Sequence, residues 1–205
     1  MNLPVKVIFI CISTLISTFS LADGPAVQFT YGKSFSQGAI NYEKNSDKSN
    51  VTENFIIEGQ SINLKYIYSP FTAISLSYHR LESCKIENAK TKLGCHIDTP
   101  IEGINAEFLT GLNMDGKGLF LFTGVGYYIE ELDNTKFEEF YIPVGIGVNL
   151  NIFVIEATYE FRNAAHYDTY DYSMFSEIDS DYTTKSEQGI VASIQPITIS
   201  LGVRF

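Results

Sequence analysis

Five charged residues stand singly in stretches where apolar and polar residues alternate: Lys65, Glu107, Glu156, Glu160 and Arg204. Alternation with a period of two residues places each of them on the polar face of a β-strand. If that face is closed off from water, the charges need partners, because desolvating an ion is costly. We therefore expect an internal charge network in which Arg204 meets Glu156 or Glu160 on the neighbouring strand and Lys65 meets Glu107.

Two cysteines, Cys84 and Cys95, follow the N-terminal apolar stretch. In an exported protein such a pair meets an oxidising compartment, and a disulfide is the expected outcome. In the chain-entropy model a bridge that closes a loop of this length stabilises by about 3 kcal/mol. Zinc is the alternative, with His96 as a third ligand, but irregular spacing and a missing fourth ligand speak against it. We expect neither a metal nor another cofactor.

An acidic, tyrosine-rich stretch runs from residue 167 to residue 187. Calcium prefers carboxylate oxygens, but the ordered ligand spacing of an EF-hand loop is absent. Tyrosine supplies rigid, amphipathic contact area at a low entropic cost. A solvated loop and a contact surface for an extracellular or host ligand are both open, and the contact residues of the second would be Tyr167, Asp168, Tyr170, Asp171, Tyr172 and Tyr182.

The elements that position these residues are eight strand-like stretches of alternating apolar and polar residues. They cover residues 27–32, 61–68, 74–79, 104–112, 119–129, 140–148, 153–161 and 197–205. Short turn-like segments at 69–70, 114–118 and 149–151 alternate with long polar segments at 35–58, 82–100, 130–138 and 163–188. A barrel with both chain ends on the periplasmic side requires this order. The sequence therefore predicts an all-β, eight-stranded, antiparallel, up-and-down transmembrane β-barrel.

Alternation alone does not say which face of the strands lies inside, since a soluble lipocalin-like barrel also has eight strands. The polar face consists largely of Gly, Ser, Thr and Asn, which suits the interior of a narrow barrel. Aromatic residues lie near the strand ends, where a membrane interface favours them. We predict that Leu121, Ile146 and Leu201 face lipid. Because side chains just fill such a barrel, a narrow pore for small solutes is an alternative only.

The N-terminal residues 1–22 have the pattern of a secretory signal peptide. Lys6 supplies the positive charge, residues 7–16 the apolar region, and Ser20-Leu21-Ala22 a small-x-small cleavage site. Residues 23–205 then form one outer-membrane β-barrel domain. The net charge is −10 and no basic stripe is present, which excludes a nucleic-acid partner.

The final strand, ITISLGVRF at residues 197–205, ends in an aromatic residue. Together with GVGYYIEEL and IPVGIGVNLNIFVIEATYEF, it resembles the small outer-membrane β-barrel family that includes OmpA transmembrane domains, OmpX-like proteins and opacity-type, porin-like adhesins. The resemblance implies an integral protein of the Gram-negative outer membrane, in contact with membrane lipid and lipopolysaccharide. It also implies that Leu201, Val203 and Phe205 form the signal that the barrel-assembly machinery recognises. A structural or adhesin-like role follows from it.

An enzyme is the alternative function, because some small barrels modify lipid A. The lipid A deacylase family uses a His-x-Ser dyad in which histidine activates a serine nucleophile. Here His166 is followed two residues later by Asp168, so the nucleophile of that motif is missing. Ser173 lies farther along without a spacing argument. The sequence favours a protein that is not an enzyme.

Overall fold

The computed structural model describes residues 25–44, 50–87, 97, 99–132, 135–162, 182–184 and 195–205. These ranges contain nine β-strands: β1 Ala26–Lys44, β2 Asn50–Ser69, β3 Thr72–Glu87, β4 Ile101–Leu112, β5 Gly118–Leu132, β6 Thr135–Leu150, β7 Phe153–Phe161, β8 Tyr182–Thr184 and β9 Gln195–Arg204. Over the same ranges, no helix has the length and apolar character needed to cross a membrane.

The strands close into a barrel. Each of β1 to β6 pairs in an antiparallel manner with the next strand, β7 pairs with β9, and β9 pairs with β1. The short strand β8 is not part of this closed wall. In the described residues it pairs only with residues 42–44, at the far end of β1. The barrel wall therefore has eight strands, and the predicted eight-stranded antiparallel barrel is confirmed.

Three short connections lie at one end of the barrel, which we call the turn end; the opposite end is the extended end. They occupy residues 70–71, 113–117 and 151–152. Asn113 and Asn151 adopt left-handed backbone conformations with φ of 57° and 66°. Asparagine tolerates this region better than most residues. The Asn113 side-chain nitrogen also donates to the carbonyl oxygens of Lys117 and Leu119, at 3.1 and 2.8 Å. The short predicted turns at 69–70, 114–118 and 149–151 lie within two residues of these connections.

The extended end corrects the prediction of long loops. Residues 35–44 and 50–58 are strand, as are 82–87, 130–132 and 135–138. β1 and β2 stay paired out to Glu43 and Asn50. The alternation that reveals a strand depends on one wet and one apolar face. It fades in the sequence of these segments, although the backbone ladder continues. Of the predicted loop at 163–188, only Tyr182–Thr184 is described.

The two faces of the wall differ as a membrane barrel requires. The exposed fractions of Leu121, Ile146 and Leu201 are 44, 48 and 63%, whereas those of Glu156 and Arg204 are 2 and 5%. A lipocalin-like barrel would have these values reversed. On β5 the exposed apolar positions run from residue 119 to residue 129, and on β6 from 140 to 150. These lengths match the roughly 9–11 residues with which a tilted strand crosses a bilayer.

The lumen is not purely polar, which the sequence interpretation missed. At its turn end an apolar cluster of Ile67, Ala73, Leu109, Met114, Phe120, Phe122 and Val154 is buried. Phe122 on β5 lies across Gly145 on β6, where a β-carbon would collide with the ring. Gly147 makes the same room for Phe120. These glycines allow aromatic rings to lie flat against the inner wall and fill the narrow barrel.

Candidate functional site

The lumen contains a first group of polar residues near the turn end, the turn-end cluster of Gln28, Lys65, Glu156 and Arg204. Lys65 Nζ lies 2.6 Å from Glu156 Oε2, and Gln28 Nε2 donates to the same oxygen at 2.8 Å. Arg204 donates through Nη2 to Gln28 Oε1 at 2.7 Å. Lys65 Nζ also lies 4.1 Å from the centre of the Phe122 ring. Every member is at least nine-tenths buried, so these contacts replace the water that the charges lose on folding.

The predicted partners within the network were wrong. Lys65 pairs with Glu156 rather than with Glu107. Arg204 hydrogen-bonds to Gln28 and reaches Glu156 only through it. The prediction placed the partner of Arg204 on the neighbouring strand and did not consider Glu156 as the partner of Lys65. β2 and β7 are not neighbours; Lys65 and Glu156 meet across the lumen because the barrel is narrow.

A second group, the extended-end cluster, consists of His79, Glu130, Glu160 and Arg162. Arg162 Nη1 donates to Glu130 Oε1. Its Nε and Nη2 contact Glu160 Oε2 at 2.8 and 2.7 Å. His79 Nε2 lies 2.8 Å from Glu130 Oε1. One guanidinium thus holds two buried carboxylates, a geometry that suits arginine better than lysine.

Local features of the strands position this cluster. His79 on β3 and Glu130 on β5 both register opposite Gly103 on β4. A β-carbon at Gly103 would collide with both side chains, so its absence allows them to meet across β4. Arg162 Cζ lies 4.2 Å from the centre of the Tyr128 ring, which holds the guanidinium from the side. The sequence analysis did not include these residues in the network.

Two buried carboxylates also accept hydrogen bonds from neutral donors. Glu160 Oε1 accepts a hydrogen bond from Asn105 Nδ2 at 3.2 Å, and Glu107 Oε1 accepts one from the Tyr141 hydroxyl at 2.7 Å. Glu107 is 9% exposed. Among the residues that the structure describes, no cationic side chain lies within 4.0 Å of the Glu107 carboxylate. Glu107 and Arg204 are therefore the two predicted network residues without an ion pair in this part of the chain, and Glu107 is the carboxylate of the two.

A small cavity in the lumen is lined by hydroxyl-bearing and charged residues. Its volume is about 30 Å³, which is room for about two water molecules. The hydroxyl groups of Ser34, Ser61, Thr198 and Ser200 line the cavity. Its charged lining consists of Glu107, Glu130, Glu156, Glu160, Arg162 and the titratable His79. The apolar cluster closes the lumen below the cavity.

The chemistry that this arrangement permits is limited. No group of three or more His, Cys, Asp or Glu residues in the described ranges is placed to hold a metal ion. His79 is the described histidine of the lumen, and its recorded partner is Glu130, not a hydroxyl. A serine nucleophile needs a base within hydrogen-bonding reach. The described part of the lumen therefore contains ion pairs and hydrogen bonds, but no serine paired with a histidine base.

Several predicted positions fall wholly or partly outside the described residues. Cys84 lies on β3, but Cys95 and His96 are not described, so the disulfide stays a prediction. Tyr167, Asp168, Tyr170, Asp171 and Tyr172 are likewise outside, together with His166, Ser173 and residues 1–22. The backbone of Tyr182 lies in β8. Leu201, Val203 and Phe205 point outward at the end of β9, and the backbone of Phe205 pairs with Val27 at 2.9 and 3.0 Å.

Comparisons with known proteins give structural similarity only. No protein-family model and no curated protein matches the chain. Ail, the attachment invasion locus protein of Yersinia pestis, is 13% identical with a TM-score of 0.41, over 90% of this chain and all of that one. Neisserial surface protein A is 10% identical with a TM-score of 0.35, over 86% of this chain and 95% of that one. At such low identities and scores, neither similarity bears on the site.

Proposed function

We propose that the protein is an integral outer-membrane β-barrel with a closed lumen, whose extended end carries a surface-interaction role in the cell envelope. The observation that carries the membrane location is the apolar outer face. Nothing in water would stabilise a continuous belt of exposed Leu, Ile, Val and Phe around a barrel, whereas lipid hydrocarbon solvates it.

Aromatic residues support the same orientation at both edges of the belt. Tyr68 and Phe71, at the turn end, are 43 and 56% exposed. At the other edge Tyr127 and Phe140 form an edge-to-face pair with ring centres 5.0 Å apart. Such rings favour the two interfaces of a bilayer. The turn end then faces the periplasm and the extended end faces the outside, where lipopolysaccharide surrounds the wall.

The location is tested by fractionation and by migration on denaturing gels. We expect the mature chain in the outer-membrane fraction, with a compact band in unheated samples that shifts on boiling. Recovery of the chain from a soluble periplasmic extract would refute the membrane assignment. We further propose that the assembly machinery recognises Leu201, Val203 and Phe205. Replacing these three side chains with alanine should then reduce the amount of heat-modifiable protein.

The surface role is supported by the strands that continue past the belt and by the tyrosines at 167–182. Tyrosine suits protein contacts because it supplies rigid, amphipathic contact area. The test replaces residues 168–182 with a Gly-Ser segment of equal length and measures binding of cells to host cells or matrix. The matched control replaces residues 45–49 in the same way. Equal binding by wild type and the 168–182 replacement would count against an interaction surface in this segment.

A conducting role has less support than a closed one, because an apolar cluster and two charged clusters fill the lumen. We expect the purified protein to leave planar lipid bilayers electrically silent. We likewise expect lipid A to be unchanged by overexpression, since the described lumen lacks a nucleophile with a base.

A further inference from the structure

The described lumen carries one more negative than positive charge when His79 is neutral. Its cations are Lys65, Arg162 and Arg204, and its carboxylates are Glu107, Glu130, Glu156 and Glu160. Three of the carboxylates take part in ion pairs with Lys65 or Arg162. Lys65 pairs with one of these carboxylates and Arg162 with two, while Arg204 contacts the neutral Gln28. Glu107 is the carboxylate with no cationic side chain within 4.0 Å in the described residues, and its hydrogen bond comes from the neutral Tyr141 hydroxyl. Burying a carboxylate without a close positive charge costs free energy. A bound cation near Glu107 would reduce that cost.

Two further polar atoms in the same cavity lack partners. Asn105 Oδ1 and Ser36 Oγ are buried and make no hydrogen bond within the described part of the chain. Their residues are 2 and 1% exposed, and both line the cavity together with Glu107. Asn105 and Glu107 lie two positions apart on the inner face of β4, about 7 Å along the strand. A ligand between them would receive an amide oxygen and a carboxylate oxygen from one strand.

We propose that this cavity binds one small monovalent cation, with Na⁺ as the type. A positive ligand fits because the Glu107 carboxylate has no cationic side chain within 4.0 Å in the described residues. Asn105 Oδ1 and the serine and threonine hydroxyl groups of the cavity would bind such a ligand through oxygen atoms. The volume of about 30 Å³ limits it to an ion with at most a water molecule. A divalent ion fits less well, since calcium usually takes six to eight oxygens, several of them carboxylate, and no such group occurs in the described ranges.

The location of the cavity decides how the ion enters. Apolar side chains close the lumen at the turn end, and Phe55, Ile57, Leu81 and Ile101 are buried on inward positions toward the extended end. Exchange through the folded barrel is therefore slow, and the ion is taken up as the barrel closes. The inference concerns the folded barrel alone and is independent of the surface role proposed above.

The experiment refolds the purified barrel into detergent micelles in NaCl, KCl or choline chloride at equal ionic strength. The readout is the temperature at which the compact gel form is lost. A bound ion stabilises only the folded state. At a concentration of ten times the dissociation constant, the expected rise in NaCl over choline chloride is about 3 °C. Potassium should give a smaller rise because the cavity is small.

Variants assign the effect to the site. Glu107→Gln keeps an acceptor for Tyr141 and removes the charge, so it should fold and lose the difference between NaCl and choline chloride. Asn105→Ala should reduce the difference. Glu138→Gln makes the same change at an exposed carboxylate that pairs with Lys136, and it should retain the full difference. Equal midpoints in all three salts for the wild type, or a sodium response that survives Glu107→Gln, would overturn the proposal. Stability that follows pH but not the cation would also overturn it, because a proton would then neutralise the lumen.

Discussion

Replacing Arg162 with methionine should destabilise the barrel more than any other removal of a single lumen cation. The change deletes one guanidinium that contacts Glu130 and Glu160, and it leaves both carboxylates buried; their exposed fractions are 3 and 6%. Breaking a buried ion pair by removing one partner typically costs about 3–5 kcal/mol. The loss of the contact with Tyr128 adds about 1 kcal/mol. Because two carboxylates are stranded, we expect a total of about 5 kcal/mol in the free energy of unfolding.

The assay is reversible urea unfolding of the barrel in lipid vesicles, and Arg80→Met is the matched control. Arg80 also contacts two carboxylates, Glu82 at 2.7 Å and Glu102 at 3.3 Å, but its side chain is 46% exposed. Exposed pairs contribute about 0–1 kcal/mol, so the control should lose no more than that. Adding Glu130→Gln to Arg162→Met should recover part of the loss, because one stranded charge is removed. If Arg162→Met and Arg80→Met cost the same, burial does not set the strength of these pairs and the reasoning is wrong.

Three further predictions address the aromatic filling, the outer face and the cysteines. Gly145→Val should strongly reduce folding yield because its side chain meets the Phe122 ring, and Phe122→Ala in the same chain should restore part of the yield; no restoration would argue against the collision. Val144→Arg, near the middle of the exposed apolar positions of β6, should cost about 2–4 kcal/mol in vesicle unfolding, and a neutral outcome would contradict a lipid-facing wall. Cys84 and Cys95 should yield a linked peptide pair in mass spectrometry of the unreduced protein, and two free thiols in that spectrum would disprove the bridge.

The sequence predicted the barrel because its central segments obey a simple alternation. Residues 140–148, for example, place every second side chain in lipid and the others in the lumen, so their period identifies the strand. The period disappears in residues 35–44, where polar residues occupy both odd-numbered and even-numbered positions, and there the strand was taken for a loop. Hydrogen bonding between backbones continues without any side-chain signature.

The contacts between the charged residues of the lumen were harder to predict than the identity of those residues. Period two places Lys65 and Glu156 on the inner face, but it does not say which residues meet across the lumen. That depends on the stagger of the strands around the barrel. Arg162, like Glu156 and Glu160, lies at an even-numbered position of the same alternating stretch. This pattern could have identified it as an inward-facing residue. Glu130 was assigned to a loop because the end of β5 carries consecutive acidic residues.

The long ladder between β1 and β2 has a practical consequence. From Tyr31, in the apolar outer face, to Lys44, β1 continues for about 40 Å along its axis, and it is paired over nearly that whole length. In the proposed orientation, a peptide epitope inserted between Lys44 and Asn50 would therefore be displayed at the outer end of a paired sheet, away from the membrane. Antibodies of ordinary size should reach it on intact cells, where a tag placed in the turn at 113–117 would stay hidden.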